Sequence, residues 1–446
     1  MSMASLKLMF PCKKPRRSQR LEMKEKIDCK TKTINTGPLG FFEILPLELK
    51  FLVYTYLPVE ELSIMTITSK AMRNMVELYK NTSWAEQHLL PQPILHSALT
   101  VPQQAYFSKQ FHRLGLLMKR STCLYATKDR LKLIQQFLQK YLCSFHKSCE
   151  NPTKCIALVC YGKFLHTVIA GWDDKECIKT FETVGENTLM LRHLNNIVKC
   201  KAGAYPTLEL HVRLFFRRVF LSQCTGGSDK AFWLSLILKP FPMVHQARVL
   251  FLLFGPMCGD EIQWYEMCES TPVNKEQASV CFGDLANAFK VLHSYSKDWT
   301  EDDIISVIDE LTSSPDEWLA ENIANLLYLC GDTITLNVLN SKAINGRVTE
   351  LASIITSMCL VCIRHDNSIS WVINIVNDVC VVLENSRDKL NFLYGIADMF
   401  REAILDIHEF GDGEDDSGQE IQYMLDAQAE FMKEVILMAF RNMLSS

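Results

Sequence analysis

The 446-residue sequence predicts an all-α protein: a disordered basic N-terminal tail, a short three-helix unit, and an irregular, solenoid-like body of many helices. Three observations carry this expectation. Apolar residues recur at helical spacing through most of the chain after residue 121, and few segments alternate with the period of two that a half-buried strand needs. No self-similarity of fixed length is visible, so irregular helix packing is expected rather than one of the named repeat families. A hydrophobic fraction of 48% and a charged fraction of 22% are those of a folded globular chain. The length allows two or three domains or one extended helical array.

Residues 1–39 are expected to be disordered, being rich in Ser, Thr and basic residues without a sustained period. Residues 1–34 hold ten Lys/Arg against three Asp/Glu, about +7, so the chain's net −4 leaves about −11 for the remainder. A basic tail on an acidic body argues against direct nucleic-acid binding by that body. Within the tail, "KKPRRSQR" sets Lys13, Lys14, Arg16, Arg17 and Arg20 within eight residues, the pattern of a nuclear import signal. The expected location is nuclear, with a cytoplasmic pool left open. Seventeen cysteines, an odd number at irregular spacing with no apolar leader before them, point to a reducing compartment. No apolar stretch reaches the ~18–20 residues that a bilayer span needs, so no membrane association is expected.

The three-helix unit covers residues 40–80 and opens with "ILPLELKFLVYTYLPVEELSIMTITSK". On a wheel of 100° per residue, Leu45, Leu49, Leu52, Val53 and Tyr56 form one stripe. Leu47, Phe51 and Tyr54 form a second on nearly the opposite side, with Glu48 and Thr55 on one flank between them and Lys50 on the other. Pro46 suits the first turn, where no N–H is needed. A second helix starts near Pro58, with Leu62 and Met65 on one face and Ile64 and Ile67 on another. A unit of about 40 residues rarely folds alone, so a helix with two apolar sides needs two covers. One is its neighbouring short helices; the other is either an outside partner or the chain's own body.

Residues 81–120 read as a connecting segment and 121–446 as the helical body. "TKDRLKLIQQFLQKYL" aligns Leu131, Ile134, Phe137, Leu138 and Tyr141. "WTEDDIISVIDEL" aligns Ile304, Ile305, Ile308 and Leu311 behind a Thr300 cap, and "SSPDEWLAENIANLLYL" offers Ser314, Pro315 and Glu317 as a helix start. "SRDKLNFLYGIADMFREAILDI" aligns Leu390, Leu393, Ala397, Phe400 and Ile404. A polar stretch near 259–279 is a possible sub-boundary, and 409–420 reads as an acidic loop between the last two helices.

"LPLELKFLVYTYLPVEELSIMTITSKAM" resembles the F-box motif at Leu45, Pro46, Glu48, Leu49, Leu52, Tyr56, Leu57, Leu62, Ser69 and Lys70. It departs at Thr68, where the family prefers valine, and at Met72, where it prefers tryptophan. "CYGKFLHTVIAGWDDKECIKTF" and "AFWLSLILKPFPMVHQARVLFLLFGP" extend the resemblance to the F-box only class, which has no propeller or leucine-rich signature. The resemblance implies a substrate-recognition subunit of a Skp–cullin–F-box type E3 ubiquitin ligase. A Skp adaptor would bind Leu45, Pro46, Glu48, Leu49, Leu52, Tyr56, Leu57, Leu62 and Met65, and through it a cullin scaffold and a RING subunit. A protein substrate, unnamed by the sequence, would bind the helical body. The alternative is an F-box scaffold that stabilises a nuclear assembly with the adaptor and without ubiquitination.

On this reading the chain is no enzyme and needs no cofactor, since such a receptor works by proximity. Cys143, His146, Cys149 and Cys155 lack the paired spacing of a zinc site. Cys359 and Cys362 read as buried thiols in an apolar helix. Asp412, Glu414 and Asp416 fail as a calcium loop, because Gly418 comes one residue late and Tyr423 stands in place of the closing glutamate. Trp172 with Asp173 and Asp174 reads as a helix start, and Pro240 with Pro242 as a rigid corner. Arg217 and Arg218 are adjacent cations in an apolar setting.

Overall fold

The computed structural model describes residues 37–89, 99–141, 149, 151–410 and 415–445, and these are helical almost throughout. They form two compact units: residues up to 91 with 116–123, and residues 92–115 with 124–446. Among the described residues no helix is long and apolar enough to cross a membrane. The tail's basic cluster at Lys13–Arg20 lies outside them.

The first unit starts with a 3-10 turn at Gly40–Ile44, then α1 (Leu47–Thr55), α2 (Val59–Thr68), α3 (Lys70–Lys80) and α4 (Ser83–Leu89). Its core is built on Tyr79, fully buried, whose ring meets Tyr54 edge-on at 5.5 Å and Phe51 at 5.7 Å. The Tyr79 hydroxyl pairs with His88 Nδ1 of α4 at 3.0 Å. Residues 116–123, the last turns of α5 (Val101–Ser121) and the two residues after it, belong to the same unit. There Lys80 Nζ donates to Ser121 Oγ at 3.0 Å, and Arg120 donates to Ser63 Oγ at 3.1 Å. The segment 81–120 is therefore more than a connector: α4 and the end of α5 supply part of the cover that a 40-residue unit lacks.

The second unit runs from α6 (Thr127–Tyr141) through α7 (Ala157–Ile169), α8 (Asp174–Asn187), α9 (Met190–Ile197), α10 (Pro206–Phe215), α11 (Gly227–Leu238) and α12 (Met243–Phe254). α10 continues as a π-helical turn at Phe216–Leu221. There Phe220 is buried among Phe181 (5.2 Å), Phe215 (6.0 Å) and Trp233 (5.1 Å). Gly162 of α7 lets that turn approach closely, since a Cβ there would sit 2.5 Å from the Arg218 carbonyl oxygen. α6 turns inward on Ile134 and Leu138, and Phe137 stacks on Phe164 at 3.8 Å.

A two-stranded hairpin (β1 Met257–Cys258, β2 Glu261–Ile262) and α13 (Glu266–Glu269) follow. This polar stretch does not divide the body. Trp264 stacks on Phe251 at 5.0 Å and donates its N–H to the buried Glu209 at 2.8 Å, so the segment is fastened from within.

Beyond it come α14 (Lys275–Tyr295), α15 (Glu301–Thr312), α16 (Ala320–Cys330), α17 (Asp332–Ile344), α18 (Val348–Arg364), α19 (Ser370–Val382), α20 (Ser386–Phe410) and α21 (Asp415–Ser445). They stack in two rows, each helix on its next neighbour but one: α14, α16, α18, α20 in one row and α15, α17, α19, α21 in the other. This is the arrangement of a helical solenoid. The Thr300 cap forms with Asp303 as a full capping box. The expected start at Ser314–Glu317 does not: α16 begins at Ala320, without a side-chain cap. Trp318 is buried, and its N–H and that of Leu319 donate to the Thr312 and Met267 carbonyls, so tertiary bonds displace the local cap. In α20 the buried stripe is Phe392, Ile396 and Phe400, whereas Leu390 and Leu393 are exposed; the larger aromatic rings set the phase. Both final helices enter the acidic stretch, residues 409–410 ending α20 and 415–420 opening α21; the remainder, 411–414, lies outside the described residues.

Glu321, Arg364 and Glu420 link α16, α18 and α21 as an ion-pair triad. Burial pushes the Glu321 carboxyl up to about 7 despite Arg364, and burial pushes His166 of α7 down to about 4. The His166 contribution is complete above its unfolded value near 6.5 and is lost as pH falls toward 4. The Glu321 contribution is complete below 4.5 and is lost as pH rises toward 7. The two oppose each other between pH 4.5 and 6.5. Glu321→Gln is therefore expected to lose about 2–3 kcal/mol more stability than wild type on acidification from pH 6.5 to 4.5. Urea titrations at the two pH values read this directly, and parallel losses would refute it.

Candidate functional site

Pro46, extended at φ −55 and ψ 155, starts α1, and Glu48 lies in its first turn. This start fixes which side of the helix faces in. Tyr54 and the half-buried Phe51 turn to the core, as the second wheel stripe predicts, while Leu47 of that stripe stays exposed. Leu45, Leu49 (46% exposed), Leu52 (43%), Val53 and Tyr56 (81%) form the outward stripe. Pro46 and Glu48 are exposed beside it, and Leu57 is half-buried at the helix end.

On α2 the division runs otherwise than the adaptor-binding assignment expects. Leu62 is fully buried and so serves the unit's own core, and Met65 is half-buried. The exposed apolar residues of α2 are Ile64 and Ile67. The wheel puts them together, but the motif does not single them out. Phe41, Ile44 and Leu47 add further exposed apolar surface at the entry to α1.

The two departures from the motif are accommodated. Thr68 closes α2 with its hydroxyl on the Met65 carbonyl at 2.8 Å, and Ser69 caps α3 by accepting from the Met72 N–H at 3.1 Å. Met72 is half-buried, with its sulfur 3.8 Å from the Tyr54 hydroxyl. The third helix thus forms with methionine in the tryptophan position. Burial raises the Tyr54 hydroxyl and pushes that of Tyr79 up to about 12. Both remain neutral hydrogen-bonding groups beneath the stripe. What the stripe offers is a shaped apolar surface above a rigid core.

The other charged and nucleophilic groups weighed from the sequence have structural roles. Arg217 pairs with Asp284 at 2.5 Å and donates to the Leu253 carbonyl, and Arg218 donates to the Pro152, Thr153 and Cys155 carbonyls. Arg213 and Arg248 bond to other carbonyls at helix ends, Leu252 for the first and Val198 and Cys200 for the second. Burial raises the Cys359 thiol and pushes that of Cys362 up to about 12, which keeps both protonated. Asp173 caps α8 by accepting from the Glu176 N–H, and Arg130 lies 4.0 Å over the Trp172 ring. Pro242 starts α12, as the corner reading expects. Cys143 and His146 lie outside the described residues, among which no group of three or more His, Cys, Asp or Glu could hold a metal ion.

Known proteins resemble this chain along nearly its whole length. A family model described as FBXO47, ARM repeats, matches residues 186–444, which takes in the two-row stack. A human protein named F-box only protein 47 is 37% identical over 452 residues, covering 98% of each chain. The mouse protein of the same name is 38% identical over 417 residues, covering 92% of this chain and 91% of its own. No solved structure matches. The repeat that inspection of the sequence does not reveal is thus of the ARM type, its period hidden by helices that vary from 4 residues in α13 to 31 in α21. With a likeness at 37% identity along 98% of its length and a match to the family's ARM-repeat model over residues 186–444, the chain belongs to the F-box only protein 47 family.

Proposed function

We propose that the chain is a non-catalytic substrate receptor of a Skp–cullin–F-box ubiquitin ligase. The observation that carries this is the outward stripe of Leu45, Leu49, Leu52 and Tyr56 on a unit whose core is already filled from within. Water-exposed apolar surface of this kind, contiguous and set on a rigid helix, is what a partner covers. A Skp adaptor is the cover expected of an F-box. The adaptor brings the cullin scaffold and RING subunit, and the helical body holds a protein substrate. Ubiquitin transfer then follows from proximity, with no reacting residue supplied by this chain. The basic cluster Lys13–Arg20 directs the protein to the nucleus; deleting it from a fluorescent fusion should abolish nuclear accumulation.

The test is co-purification. The full chain should recover the Skp adaptor stoichiometrically, and alanine at both Leu45 and Pro46 should abolish that recovery with the circular dichroism spectrum unchanged. Retention of the adaptor by this double variant would sink the assignment. Recovery of cullin and RING subunits, with a bound protein whose half-life lengthens when this chain is depleted, separates the receptor from a stabilising scaffold. A scaffold would hold the adaptor alone, and its bound protein would be lost on depletion.

A further inference from the structure

α21 closes the two-row stack with Met424, Ala427 and Phe431 on its buried side. About 140° round the helix lie Leu425, Ala429, Met432 and Ile436, all exposed, at spacings of four, three and four. This is the spacing of a seam for a second helix. The final helix of a solenoid ordinarily closes the core with a polar outer face. This one turns an apolar stripe of about three turns to solvent.

The positions beside the seam say what covers it. On one flank stand Asp426 and Lys433, both exposed and seven residues apart; on the other stand Gln428 and Val435, half-buried and uncharged. Glu430 and Glu434 are half-buried and lie beyond the charged flank, away from the seam. Asp426 Oδ1 accepts from Gln422 at 2.8 Å, and Lys433 Nζ donates to both carboxylate oxygens of Glu430, at 3.0 and 2.9 Å. Each charge keeps capacity for one more bond: the second oxygen of Asp426 and the third N–H of the Lys433 ammonium. A helix with only basic flanks would satisfy Asp426 and repel Lys433, and one with only acidic flanks would do the reverse. The match is a helix that carries the same two charges in the opposite order, which a second α21 running antiparallel supplies. Setting Leu425 against the second copy's Ile436, and Ala429 against its Met432, places each Asp426 beside a Lys433 and each Gln428 beside a Val435. A parallel copy in register would set Asp426 beside Ile421 and Lys433 beside Gln428, with no ion pair. We propose that α21 is a self-association surface, an antiparallel two-fold contact between two copies of the chain. The proposal stands on the seam and flanks of α21 and is independent of what the F-box stripe binds.

The seam is short, so sedimentation of the full chain between about 1 and 200 μM is expected to show a weak dimer, with a dissociation constant on the order of tens of micromolar. Met432→Glu, at the exposed centre of the seam, should weaken it at least tenfold with an unchanged melting temperature. The two-fold axis makes every flank substitution act twice. Asp426→Lys or Lys433→Asp alone should weaken the dimer about tenfold, and the two together should restore it to within about threefold of wild type. Loss of helix stability would not give that rescue. The variant Leu49→Ala, Leu52→Ala, Tyr56→Ala should dimerise as wild type does. A chain that stays monomeric throughout the range would overturn the proposal in favour of another protein's helix as the occupant. So would a dimer that Met432→Glu leaves intact or that the F-box variant abolishes, since the contact would then lie elsewhere. Single charge reversals without effect, or a double reversal without rescue, would overturn the antiparallel pairing.

Discussion

Alanine at Leu49, Leu52 and Tyr56 together is expected to weaken Skp-adaptor binding by at least about 1,000-fold while leaving the first unit folded. All three are exposed and none takes part in the Tyr79 core, so their removal takes nothing from the unit's own packing. Each large apolar side chain buried at an interface is worth roughly 1.5–3 kcal/mol, and three at the centre of one stripe exceed the ~4 kcal/mol that a 1,000-fold change requires. The measurement is calorimetric titration with purified adaptor beside a thermal melt. Leu62→Ala provides the contrast. Being fully buried, it should destabilise the unit by about 2–5 kcal/mol and affect binding through folding. If Leu62→Ala weakens binding at unchanged stability and the triple variant does not, the two faces of this unit have been assigned the wrong way round.

Phe220→Ala should be the most damaging single truncation in the body. The ring is fully buried in the π-helical turn and touches aromatic rings from α8, α10 and α11. Gly162 brings α7 onto the same turn at backbone distance, leaving the neighbourhood little freedom to collapse into the void. A loss of about 3–5 kcal/mol is expected, read from the urea midpoint of the full chain, with near-ultraviolet circular dichroism reporting the change around Trp233. A loss below about 1 kcal/mol would mean that the aromatic cluster rearranges around the gap.

What could be read from the sequence was local. Leu45, Leu49, Leu52, Val53 and Tyr56 share a face because a helix repeats every 3.6 residues, and the structure turns that face outward. The Thr300 cap is legible because a short side chain bonds to a backbone N–H three residues on, and the helix start at Asp173 and Asp174 is legible because carboxylates favour that end of the helix dipole. What was missed depends on residues far apart. α16 starts late because Leu319 bonds to Met267, 52 positions earlier. The F-box unit is completed by Lys80 reaching Ser121, a pairing that no pattern within either segment announces. Leu62 matches the motif as well as Leu49 does, yet one is core and the other surface, because a motif records which residue types recur and not which way they point. The ARM repeat stayed hidden for a similar reason: its period lies in how helices stack, while their lengths and loops vary.

The two-row stack has a consequence for how the body comes apart. Each helix rests on near neighbours in the chain, and neither row closes on itself. Opening α21 therefore disturbs α18, α19 and α20 but leaves α14 and α15 in place. Cooperativity should thus decay along the array. Amide exchange is expected to rise in steps toward the C-terminal end, slowest around Leu326 and Leu327 of α16 and fastest in α21. A protease acting on the folded protein would trim α21 first and stop where the stack still holds.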